Sequence, residues 1–147
     1  MKKLIAVITL VLSFSAFAEK KTVSFTYSGI ESYGRSYYAC DYVEYQTEKM
    51  LELFGATQID VSCSGGIQFG SMWPVSIRAT FEAPTLVGNE VAEVKKIEGD
   101  FSRPACGLNT TIVKRLLPSF SNVKVVKKSD SCAFASSNYS YTFEIIK

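Results

Sequence analysis

Apolar and polar residues alternate with two different periods along this chain, and each change of period marks a boundary. From Thr22 to Ser28 every second residue is apolar: Val23, Phe25 and Tyr27 against Thr22, Ser24, Thr26 and Ser28. That is the pattern of a strand with one buried face. From Cys40 to Ala56 the period lengthens. At about 100° per residue, Ala39, Val43, Met50, Leu53 and Phe54 gather on one side and Asp41, Glu44, Glu48 and Glu52 on the other. This predicts an amphipathic helix with an acidic, solvated back. Gly55 follows where a left-handed C′ residue is wanted, and Ile59 and Val61 then alternate with Asp60 and Ser62 as a returning strand.

A glycine-rich stretch from Ser64 to Pro74 reads as a flexible connection carrying Phe69, Met72 and Trp73. Val75, Ile77, Ala79 and Phe81 restore the strand period, and Val87 to Glu90 reads as a turn opening a hairpin into the next strand. Val91, Val94 and Ile97 fall three apart, a spacing shared by a bulged edge strand and a short helix. Strand is the reading for Val91 to Phe101, because that segment holds the slot of Thr22 to Ser28 in the first half. A second helix is predicted from Leu108 to Leu117, with Leu108, Ile112, Val113 and Leu116 buried, Asn109 as N-cap and Pro118 as the stop. Val123 to Lys127 and Tyr139 to Ile145 close the chain as strands, with Tyr139, Tyr141, Phe143 and Ile145 inward.

The order is βαββ followed by βαββ. The predicted class is α+β: two βαββ units forming a mostly antiparallel sheet, with two helices packed on one face. Residues 19–147 are expected to form a single domain, with a pseudo-repeat of 19–86 and 87–147.

Each unit has one cysteine before its helix and one after it: Cys40 and Cys63, then Cys106 and Cys132. The helix after Cys40 advances the chain about 21 Å and the strand to Cys63 returns it about 17 Å. A disulfide between them would staple the helix start to the sheet. For Cys106 the helix advances about 18 Å while the following strand could run about 33 Å, so Lys127 to Asp130 must turn or bulge to bring Cys132 back. Cys40–Cys63 with Cys106–Cys132 is the favoured pairing, and Cys40–Cys106 with Cys63–Cys132 the alternative.

Lys2 and Lys3, the apolar run Leu4 to Phe14 and Ala16-Phe17-Ala18 have the form of a cleaved signal peptide, residues 1–18. No cysteine follows the cleavage site, so a periplasmic or secreted bacterial protein is expected, disulfide-bonded and without a membrane span. Without Lys2 and Lys3 the formal charge is zero, which gives no global pull toward nucleic acid. Residues 19–86 carry five basic and eight acidic side chains, residues 87–147 nine and six. That imbalance is the motive for the alternative expectation of a homo-oligomer, a structural or self-associating envelope component.

The chain has no histidine, which removes Ser-His-Asp and Cys-His catalysis and histidine-ligated metals. It has no glycine-rich phosphate loop of known form, and no cofactor is expected. A carboxylate-dependent hydrolase, pairing Asp60 or Asp100 with a helix glutamate, is the enzymatic alternative. The leading expectation is a non-enzymatic binding protein whose partner is a protein, an envelope polymer or a small ligand. Two surfaces are candidates. Tyr38, Tyr42 and Tyr45 with Glu48 share one side of the first helix, within a tyrosine-rich stretch that also holds Tyr33 and Tyr37. Phe69, Met72 and Trp73 occupy the glycine-rich connection.

Overall fold

The computed structural model describes residues 18–31, 34–86, 88–99, 103–129, 132 and 139–147. The leader expected over residues 1–18 falls outside them as far as Phe17, as do Tyr33, Val87, Asp100, Phe101, Asp130 and the side chain of Tyr139. The elements run β1 (Glu19–Tyr27), a short pair β2 (Ile30–Glu31) and β3 (Gly34–Arg35), α1 (Cys40–Leu53), β4 (Thr57–Gln68) and β5 (Ser71–Ala83). They continue with β6 (Ala92–Gly99), α2 (Arg103–Leu116), a 3-10 turn (Leu117–Ser119), β7 (Val123–Ser129) and β8 (Tyr139–Ile146).

Apart from the β2–β3 pair, this is βαββ twice. The ladders form two three-stranded antiparallel sheets, ordered β1-β5-β4 and β6-β8-β7, where one sheet was expected. The α+β class stands. In each unit the last strand lies between the first two, which therefore run parallel to each other. A parallel connection needs a crossover, and the helix supplies it.

The central strands carry the strictest alternation. Val75, Ile77, Ala79 and Phe81 of β5 and Tyr141, Phe143 and Ile145 of β8 are all buried. Helix α1 buries Val43, Thr47, Met50 and Leu51, with Phe54 just past its end. The stripe is thus rotated from the expected one: Leu51 is inside, Leu53 marginal and Ala39 exposed. Thr47 is tolerated there because its hydroxyl donates to the Val43 carbonyl at 2.7 Å. Gly55 (φ 86°) ends the helix, its N–H reaching the Glu52 carbonyl and that of Ala56 the Leu51 carbonyl, each at 3.0 Å.

Helix α2 buries the expected Leu108, Ile112, Val113 and Leu116, but it begins at Arg103 rather than Leu108. Pro104 fits its first turn, where no N–H is needed. Asn109 is therefore a buried mid-helix residue and not a cap. The hairpin expected across Val87 to Glu90 is also corrected. β5 and β6 lie in different sheets and β6 pairs with β8, while the Gly88 N–H donates to the Glu90 carboxylate at 2.8 Å in a local turn.

One core joins the units. Phe54 meets Phe120 and Phe143 edge-on, each with centroids 5.1 Å apart, and Phe81 stacks on Phe120 at 5.2 Å. The buried Asn122 amide donates to the Phe54 carbonyl at 3.1 Å, capping the end of α1 from the second unit. Both disulfides follow the favoured pairing, Cys40–Cys63 (Cα–Cα 5.5 Å) and Cys106–Cys132 (5.6 Å). A register shift falls at Val126, between the pairs Val125–Phe143 and Lys127–Thr142, just ahead of the Lys127 to Asp130 segment where a turn or bulge was expected. β7 stays paired from Lys127 through Ser129, and Asp130 lies outside the described residues.

Candidate functional site

At Pro74 strand β5 changes character. From Val75 onward its alternate apolar residues are buried, yet Trp73 is 60% exposed, Met72 is similarly open, and Phe69 is fully exposed. The ladder shifts register at this point: Gly65 opposes Val75, but Gly66 opposes Trp73, leaving Pro74 as the extra residue of a bulge. A bulge tolerates proline, which has no N–H for the ladder. A Cβ on Gly65 (φ 87°) would lie 2.1 Å from the Pro74 carbonyl oxygen, and one on Gly66 (φ 78°) 2.5 Å from that of Tyr38. The glycine pair was expected to be a flexible link. It is instead the close crossing of the bulged hairpin and the segment that leads into α1.

Past the glycines β4 and β5 continue as a hairpin, correcting the loop expected over Ser64 to Pro74. Ile67 opposes Met72 and Gln68 opposes Ser71, with Phe69 and Gly70 as a two-residue turn. Their φ values of 47° and 79° give the turn whose twist matches that of the strands. A left-handed conformation costs a bulky residue about 1–2 kcal/mol, and asparagine or glycine would suit Phe69's place better. The chain thus places a strained, fully exposed aromatic ring at the tip.

The base of this hairpin is anchored to the start of α1. The Ile67 N–H donates to the Tyr38 carbonyl at 3.0 Å, and Cys40 is joined to Cys63. The two candidate surfaces therefore adjoin, but only in part. Tyr38 is half-buried, tilted against Tyr27 at 5.8 Å and stacked on Tyr42 at 5.6 Å. Tyr42 and Tyr45 are exposed. Tyr45 faces down the helix, with the Lys49 ammonium 4.6 Å from its ring centroid. Hydrogen bonding to Tyr45 holds the Lys49 pKa above its usual range. Glu48 is exposed and lies farther along α1. Ile67, Phe69, Met72 and Trp73 are the exposed apolar side chains of the hairpin's end, with Ile67 opposite Met72 and Trp73 opposite Gly66 at the crossing beside Tyr38; Tyr45 and Glu48 lie farther along α1.

Two features went unforeseen. Ile67 joins this exposed group, and its alternation with Phe69 was the available signal. An open groove of about 550 Å³ lies between α1 and β6, floored by Met50, Leu53 and Ile97 and rimmed by Lys49, Lys95 and Lys147. Lys95 (2.5 Å) and Lys147 (2.9 Å) bind Glu93, and their hydrogen bonds lower its pKa to about 2. Segments far apart in the chain, α1, β6 and Lys147, line this groove, so no local pattern announces it.

Among the described residues there is no grouping of three or more metal-ligating side chains, and no helix is long and apolar enough to cross a membrane. No protein-family model, no curated protein and no solved structure matches this chain.

Proposed function

We propose that this chain is an exported, non-enzymatic binding module whose contact surface is the tip of the β4–β5 hairpin, bordered by Tyr38 and Tyr42. One observation carries the reading. The apolar side chains of a single strand are buried up to Val75 and exposed at Trp73 and Met72, beyond the point where the core needs them. Exposed aromatic and methionine side chains on a rigid support are the composition of binding hot spots. The support is rigid because a disulfide, a backbone hydrogen bond and a glycine crossing hold its base.

Export is supported by the charged, apolar and Ala-x-Ala leader and by two disulfides, which persist in oxidising compartments. The hydrolase alternative draws less support. Of its candidate acids, Asp60, Glu48 and Glu52 are exposed, whereas a general acid needs burial, and Asp100 lies outside the described residues.

Retention on bacterial envelope fractions (membranes, soluble periplasmic proteins, peptidoglycan) tests the proposal. The purified protein should be retained by one fraction, and Phe69→Ser with Trp73→Ala should reduce retention at least about tenfold. Equal retention of the folded double variant, or no retention of the parent protein by any fraction, would refute it.

A further inference from the structure

We infer that the hairpin tip binds the interfacial region of a lipid bilayer, by shallow insertion of Phe69 and Met72 with Trp73, opposite Gly66, behind them at the headgroup level. This rests on the proposal that the tip is a contact surface, and it names the partner. The decisive feature is charge. No charged residue occurs from Val61 to Ile77, although Asp60 and Arg78 flank that stretch immediately. Protein-binding surfaces are enriched in arginine and surround their apolar centre with a polar rim. Here the end of the hairpin from Val61 to Ile77 is uncharged, and its polar members near the turn are Gln68 and Ser71, paired across the ladder.

Geometry agrees with the headgroup level. Ile67 is held at the Tyr38 carbonyl, and two further residues at about 3.3 Å each carry the chain roughly 7 Å to Phe69. Interfacial elements bury their apolar groups to a depth of about 5–10 Å. Deeper entry is opposed because turn backbone groups lose their water in hydrocarbon. Tryptophan favours this level, where its ring meets acyl chains and its N–H meets headgroups. The glycine crossing and the disulfide keep the tip extended before contact, so little ordering is left for the binding step.

Trp73 is the only tryptophan in the chain and reports directly. Its emission should shift to the blue on titration with zwitterionic phosphatidylcholine vesicles, and brominated acyl chains should quench it. The shift should survive added salt, because no charge takes part. Phe69→Ser, which keeps the reporter, should weaken partitioning at least about tenfold with an unchanged urea midpoint, while Tyr45→Ser should leave it unaltered. No shift and no co-sedimentation with vesicles would overturn the inference. So would binding confined to anionic vesicles and abolished by salt, which would point to Lys124, Lys127 and Lys128 of β7 instead. A soluble envelope protein that shifts Trp73 emission where vesicles do not would keep the binding module and reject the lipid. Silence toward every envelope fraction would reject both.

Discussion

The two βαββ units share one strand order and differ in what lies beyond the second cysteine. In the first, β4 passes Cys63 and continues through the glycine crossing to Gln68, and β5 returns from Ser71. In the second, β7 ends at Ser129, before Cys132 is reached. Among the described residues, the second unit closes its disulfide and supplies its share of the core, and no such extension is seen. The apolar side chains of the first unit's extension, Ile67, Phe69, Met72 and Trp73, are exposed and lie outside the buried core. That exposure is what motivates the proposal that they serve binding.

That contrast is broken most forcefully inside β5. Phe81→Ala should destabilise the protein by about 3–5 kcal/mol in urea denaturation, whereas Phe69→Ala, on the same hairpin, should stay within about 0.5 kcal/mol. Similar losses from both would erase the distinction between core and extension. Next in size are the staples. Replacing Cys40 and Cys63 by alanine, or Cys106 and Cys132, should cost about 3 kcal/mol in either unit, since the closed loops are alike in length. Only the first pair should also speed hydrogen exchange at the Ile67 N–H, which depends on the anchored helix start.

Much of the shared module was legible in the sequence. The period of Val75 to Phe81, the stripe of α2 and the pairing of Cys40 with Cys63 express local rules, whereas Cys106, expected before the second helix, lies inside α2. The extension was not, for two reasons. Gly65 and Gly66 look like flexible residues until the Pro74 carbonyl is seen beside the first and the Tyr38 carbonyl beside the second, the latter a contact between segments far apart in the chain. A phenylalanine at a left-handed turn position also defies the usual turn chemistry, so the hairpin read as a loop. Asn109 misled because a capping residue type in a buried helix interior resembles a helix start. The separation into two sheets depends on which strands pair, and alternation alone does not specify partners.

Gly66→Ala sharpens the comparison at the crossing. It should cost about 1–3 kcal/mol through the positive φ and the Tyr38 clash, and loosen the tip without altering the second unit, as amide exchange would show. The smallest effect belongs to the exposed ion pairs of β6. Glu93, lowered from its usual 4.5 to about 2, contributes stability that is complete above pH 4.5 and disappears as pH falls through 2. The small difference between the parent protein and Glu93→Gln in urea midpoint should therefore be present at neutral pH and vanish in that acid window. A difference that grew on acidification would contradict the pairing with Lys95 and Lys147.

The most direct measurement is the unfolding free energy of one variant carrying Ile67→Thr, Phe69→Asn, Met72→Thr and Trp73→Thr. If these side chains serve a partner and not the core, it should unfold within about 1 kcal/mol of the parent protein while losing retention on the envelope. A loss of about 3 kcal/mol or more would show that the extension belongs to the core.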